Sequence, residues 1–174
     1  MTSLLDGPSA VAPDQPSDLR GVQLPRLFTA PPYASSAGQE AIELAAHAGL
    51  ILDEWQQNAL RIGLGERPDG SWAAFEVAVN VPRQNGKGGI IEARELAGLY
   101  LLGERLILHS AHEFKTSIEA FRRIVALVTN CDSLRKRVKA IRRTTGEEAI
   151  ELLTGQRLRF LARSGGSGRG FTGN

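Results

Sequence analysis

Nine consecutive residues, Val81-Pro82-Arg83-Gln84-Asn85-Gly86-Lys87-Gly88-Gly89, hold the types and spacing best suited to chemistry. Glycine lets a backbone come close to an anion. A helix opening here would turn free N–H groups and the positive end of its dipole toward that anion. Lys87 would add a point charge for the outer phosphates of a nucleotide. Against the pattern G-x-x-x-x-G-K-[ST] the match is partial. Gly86 and Lys87 fit, Val81 stands where the first glycine belongs, and Gly88 stands where a Mg²⁺-binding hydroxyl belongs. The alternative is a surface turn with an ordinary lysine.

The flanking elements must position this loop. Residues 73–80 read as a strand, with Phe75, Val77 and Val79 on one face. Residues 90–102 read as an amphipathic helix with Glu92, Arg94 and Glu95 at polar positions. An apolar run at 105–110 reads as a buried strand, and 113–130 as a long helix carrying Phe114, Ile118, Phe121, Ile124, Val125 and Val128. Strand, loop, helix, strand, helix is the grammar of a parallel sheet covered by helices, whose site lies beyond the strands' carboxyl ends. Upstream, helices are expected at 39–48, closed by Gly49, and from the N-cap Asp53 to Gly63 or Gly65. Downstream, strands are expected at 138–143, 149–153 and 157–161, the last two joined at Thr154-Gly155.

Composition bounds the rest. The chain has 174 residues, 42% hydrophobic and 23% charged, which excludes wholesale disorder, collagen-like repeats and coiled coil. No apolar run approaches the roughly 18 residues needed to span a bilayer, and no secretory signal is visible. One cysteine, Cys131, excludes an internal disulfide framework and fits a reducing cytoplasm. Residues 1–36 hold six of the eight prolines and read as a flexible tail, leaving 37–174 as the folded unit. Residues 1–119 carry 9 basic against 15 acidic side chains, and residues 120–174 carry 12 against 4. That basic third points to a polyanion, or to solvated helix faces. Its candidates are Arg122, Arg123, Arg135, Lys136, Arg137, Lys139, Arg142 and Arg143. His109 and His112 lack a third ligand at metal spacing, so no metal site is expected from them.

The segment from Trp72 to Lys87 resembles the Walker A region of the large subunit of tailed-phage terminases, which often carry Pro-Arg-(Gln/Lys)-Asn-Gly-Lys there. Leu52-Asp53-Glu54-Trp55-Gln56, the stretch from His109 to Thr116, and the stretch from Ser167 to Gly173 resemble other pieces of that family in the same order. The resemblance implies an additional-strand P-loop NTPase, a three-layer α/β sandwich, here incomplete. It implies ATP and Mg²⁺ as cofactors. Lys87 would meet the β- and γ-phosphates, within the backbone of Gln84, Asn85, Gly86, Gly88 and Gly89. Arg83 would offset charge at the γ-phosphate, and Gln56 would read the adenine edge. Arg169 would act as an arginine finger on a neighbouring subunit.

The family also needs an apolar strand ending in Asp-Glu. Consecutive acids occur only at Asp53-Glu54 and Glu147-Glu148, and neither pair follows an apolar strand. The resemblance places the acidic strand and the nuclease domain beyond Asn174. The expectation is therefore ATP binding with little or no hydrolysis by this chain alone, the remaining half being supplied in trans as from a split gene, or the chain being a truncated remnant. The implied partners are that half, a terminase small subunit, a portal protein, double-stranded DNA and further copies in a ring, in the host bacterial cytoplasm. Two other readings remain open: a fragment of a different P-loop motor such as a helicase, and a non-enzymatic basic module that binds nucleic acid or protein.

Overall fold

The computed structural model describes residues 23–162. The elements run β1 (Ser35–Ser36), α1 (Gly38–His47), α2 (Glu54–Gly63), β2 (Gly65–Glu66), α3 (Lys87–Tyr100) and β3 (Leu106–Ala111). They continue through α4 (Phe114–Asn130), α5 (Asp132–Arg135), β4 (Val138–Arg142), β5 (Ala149–Leu152) and β6 (Arg157–Ala162). The fold is mixed α/β. Ser35 and Ser36, inside the span read as a tail, pair antiparallel with Gly65 and Glu66. No helix among the described residues is long and apolar enough to cross a membrane.

Helix α4 forms as its spacing predicts. Ser117, Ala120, Phe121, Ile124, Val125 and Val128 make one buried face. Phe121 meets Phe160 of β6 edge-on, with ring centroids 5.2 Å apart. Helix α2 starts with a capping box, in which Gln56 Oε1 accepts the Asp53 N–H at 2.7 Å. Helix α3 is buried between two cores. Ile90, Ala93 and Ala97 join the cluster of α1 and α2, while Leu96, Leu99 and Tyr100 join that of α4 and the sheet. Ala41 and Ala45 of α1 and Ala93 and Ala97 of α3 are almost fully buried, and their small side chains let the two helices lie close.

The main sheet has the order β3-β6-β5-β4. Strands β3 and β6 are parallel, with Leu106 opposite Arg157 and Phe160 opposite His109. The other two pairings are antiparallel, with an irregularity between Val138 and Ala140. Ile107, His109, Ile150, Leu158 and Phe160 fall on the helix-covered face by register; Leu106, Leu108, Glu151, Arg157 and Arg159 fall on the other. Among the described residues the helices pack against one face, so these residues make a helical layer on a mixed sheet. The expected parallel sheet is thus mixed among the described residues, and its second face carries Leu106 and Leu108 beside Glu151, Arg157 and Arg159.

Residues 73–80 do not form the expected strand. A single bridge joins Glu66 to Trp72, and no ladder follows. Phe75 is completely exposed, and Val77 and Val79 are partly so. The alternation is real, but a strand also needs a neighbour for its N–H and C=O groups. Among the described residues β3 pairs with β6 instead. Two further expectations shift. Helix α3 starts at Lys87, three residues before the expected start, because the low helix propensity of Gly88 and Gly89 hides its first turn in the sequence. Glu92 and Glu95 are buried, not solvated.

Candidate functional site

The loop and the first turn of α3 bring Arg83, Gln84, Asn85, Gly86, Lys87, Gly88 and Gly89 together. Two of these residues are left-handed, Gln84 with φ 59° and Gly86 with φ 74°. Gly86 is the N-cap of α3 and tolerates that conformation without a side-chain clash. For Gln84 the same geometry costs about 1 kcal/mol, so the loop holds some strain. The Gly86 carbonyl accepts the Gly89 N–H at 2.9 Å. Lys87 and Gly88, as the first helical residues, have N–H groups without an intrahelical acceptor. Lys87 and Arg83 are exposed. The chemistry available is therefore anion binding: two open N–H groups, a helix N-terminus and two exposed cations.

Gln56 is the support of this loop. It is 6% exposed. Its Oε1 caps α2, and its Nε2 donates to the Gly86 carbonyl at 2.6 Å. Only one Nε2 hydrogen is left for a ligand. Its packing also explains the glycines around it: a Cβ at Gly86 would lie 2.8 Å from Gln56 Nε2, and one at Gly89 would lie 3.2 Å from it. Arg169 lies outside the described residues.

Behind the loop sits a group of charges that sequence spacing did not reveal. Glu92 and Glu95 are one turn apart on α3 and both are buried. Glu92 Oε1 lies 2.5 Å from Arg123 Nη2 of α4, an ion pair whose angles do not make a hydrogen bond. Glu95 Oε1 meets His109 Nδ1 of β3 at 2.6 Å, and its Oε2 is buried with no partner. Desolvation raises both carboxyls above their usual 4.5; Arg123 opposes this at Glu92, and His109 opposes it at Glu95. The available signal was two acids spaced i, i+3 on a helix whose neighbours are apolar. Their partners come from other elements and leave no local trace.

Arg123 also reaches the loop. A Cβ at Gly88 would lie 2.6 Å from Arg123 Nη2 and 3.5 Å from Glu92 Oε1. Beside this pair, an open groove of about 560 Å³ runs between the end of α1 and α4, lined by Leu50, Leu127 and Cys131 among others.

The basic third is less free than its count implies. Arg122 pairs with Glu119, Arg123 with Glu92, Arg135 with Asp132 and Arg142 with Glu151. Arg137 lies over the Tyr100 ring and donates to its carbonyl at 3.1 Å. Lys136, Lys139 and Arg143 are exposed.

No family model matches the chain, and no curated protein matches it. Among solved structures, the crystal structure of the large terminase of bacteriophage HK97 is similar, at 18% identity and a TM-score of 0.58. The match covers 73% of this chain and 27% of that one, so the two share a fold over about a quarter of the larger protein.

Proposed function

We propose that this chain is the nucleotide-binding portion of a terminase-type DNA-packaging ATPase. The observation that carries the reading is the turn at Gly86 and Lys87. A left-handed glycine caps a buried helix there, and an exposed lysine stands at that helix's first position. The fold shared with a phage large terminase supports the same reading.

ATP is the ligand proposed. Its phosphates would take the N–H groups of Lys87 and Gly88 and the Lys87 ammonium, while Arg83 would face charge developing at the γ-phosphate. Gln56 would hold the loop in shape. Arg169 is proposed as a finger for a neighbouring copy. In this reading hydrolysis requires an acidic strand and a base from further sequence, in the same or a second polypeptide. The partners are that half, the nuclease, a small subunit, a portal protein, double-stranded DNA and copies in a ring.

Titration of a fluorescent ATP analogue into wild type and Lys87→Ala tests the reading. Binding by wild type, displaced by ATP and weakened at least about tenfold in the variant, supports it. No binding, or equal binding by both proteins, favours the non-enzymatic basic module.

A further inference from the structure

The residues at the loop do not fit a Mg²⁺ ion held in the usual P-loop manner. That ion takes a hydroxyl from the residue after the lysine. Here that residue is Gly88, and the space its side chain would fill holds a guanidinium. A Cβ at Gly88 would collide with Arg123 Nη2 at 2.6 Å. Any residue other than glycine would require the Arg123 guanidinium to shift.

The arrangement is built rather than incidental. Glu92 is 5% exposed and anchors Arg123 from below, while the arginine side chain itself remains 59% exposed toward the helix start. Glu92 Oε1 is buried without a hydrogen bond and lies 3.5 Å from the same Cβ position. A buried carboxylate at a helix start opposes an anion there unless a cation stands between them. Arg123 is that cation.

We propose that Arg123 contacts the bound phosphates in place of the loop's Mg²⁺, so that the loop takes a nucleoside triphosphate without the metal. This rests on the reading of the loop as a nucleotide site. The guanidinium offers planar, charge-assisted N–H donors where a metal would offer a point charge. Lys87 and Arg123 then both stand at the first turn of α3, and Glu92 holds Arg123 there.

The test uses the full 174-residue chain and the fluorescent ATP analogue, with ATP as competitor, in excess Mg²⁺ or in EDTA. The expected result is that wild-type affinity differs by less than about twofold between the two conditions. Arg123→Ala should lose about ten- to a hundredfold in both, and Arg123→Lys should recover part of the loss. Because Arg123→Ala strands the buried Glu92, the double variant Arg123→Gln/Glu92→Gln should repeat the loss in a chain with no stranded charge, with circular dichroism melting as the check. Gly88→Ser in the Arg123→Ala background frees room for a hydroxyl and should make binding Mg²⁺-dependent. Wild-type binding that needs Lys87, vanishes in EDTA and ignores Arg123 would overturn the proposal while leaving the nucleotide site intact. Mg²⁺-dependent binding lost in Glu92→Gln would also overturn it, since the carboxylate would then be serving the metal. Absence of binding in both conditions would overturn the site and the proposal together.

Discussion

The Gln56 side chain joins two helix starts: its oxygen caps α2 at the Asp53 N–H, and its nitrogen holds the Gly86 carbonyl that begins α3. The loop between Val81 and Gly86 is thus set by a residue far from it in sequence. Gln56→Ala should cost about 2 kcal/mol in urea unfolding, since a buried side chain and its two part-buried hydrogen bonds are lost. Gln56→Glu separates the two roles. It keeps the acceptor for Asp53 but sets a carboxylate against the Gly86 carbonyl, so α2 should stay capped while binding of the ATP analogue weakens. Equal behaviour of the two variants in both measurements would show that the loop contact is passive.

Gly98 and Gly49 should respond very differently to alanine. A Cβ at Gly98 would strike the Glu104 carboxylate and lie 2.7 Å from Arg94 Nη1 and 2.8 Å from Ile107 Cδ1. Arg94 and Glu104 grip each other there through two N–H donors, with Glu104 7% exposed. Gly98→Ala should therefore destabilise by about 2–3 kcal/mol, by overpacking and by disturbing a part-buried ion pair. Gly49 has φ +90° in open space, so Gly49→Ala should cost about 1 kcal/mol from backbone strain alone. Denaturant midpoints at constant m would show the gap; a Gly98→Ala midpoint no lower than that of Gly49→Ala would count against the packing described.

Stability should fall with rising pH through the buried pair on α3. Glu92 and Glu95 have folded-state values raised above the usual 4.5, mainly by desolvation. Between the unfolded and folded values the native state holds protons the unfolded chain has released. The contribution is thus complete below about pH 4.5 and is lost as pH rises through the raised values. Arg123 and His109 soften the loss without removing it. Glu95→Gln removes one titrating group, so its stability relative to wild type should improve between pH 4.5 and 7 in urea titrations. A difference that stays flat across that range would mean Glu95 ionises as freely as in the unfolded chain.

Phe75 contributes nothing to the described core, being wholly exposed beside Val77 and Val79. Phe75→Ser should leave the unfolding free energy within about 0.5 kcal/mol of wild type. The same change should lower light scattering at high protein concentration, because an unpaired apolar stretch favours association. A large drop in stability would instead place Phe75 in a packed site.

Local patterns made much of this molecule readable. The face of α4 with Phe121, Ile124 and Val128 follows from its spacing, and β3, β5 and β6 lie where short apolar runs mark strands. The Gly86-Lys87 turn was visible because its residue types are unusual together. What stayed hidden depends on partners distant in sequence. Glu92 and Glu95 looked like solvated positions because Arg123 and His109 sit on other elements. Residues 73–80 looked like a strand because alternation reports a two-faced segment and not the presence of a neighbour. The ladder of Ser35 and Ser36 with Gly65 and Glu66 is too short to leave any pattern. The second role of Gln56 needed the fold, because a glutamine's amide carries no preference for which backbone it ties.

The pairing of β3 with β6 has a consequence in time. Leu106 and its partner Arg157 are separated along the chain by α4, α5 and the β4–β5 pair. During synthesis, β3 and the apolar face of α4 leave the ribosome before Phe160 and Leu158 exist to cover them. The helices can form locally and early, but β6, between β3 and β5, is the last of the described strands to emerge, after a long loop must close. A nascent chain halted anywhere between α4 and β6 would therefore expose Phe121, Ile124 and Val128, and would be the species that chaperones meet.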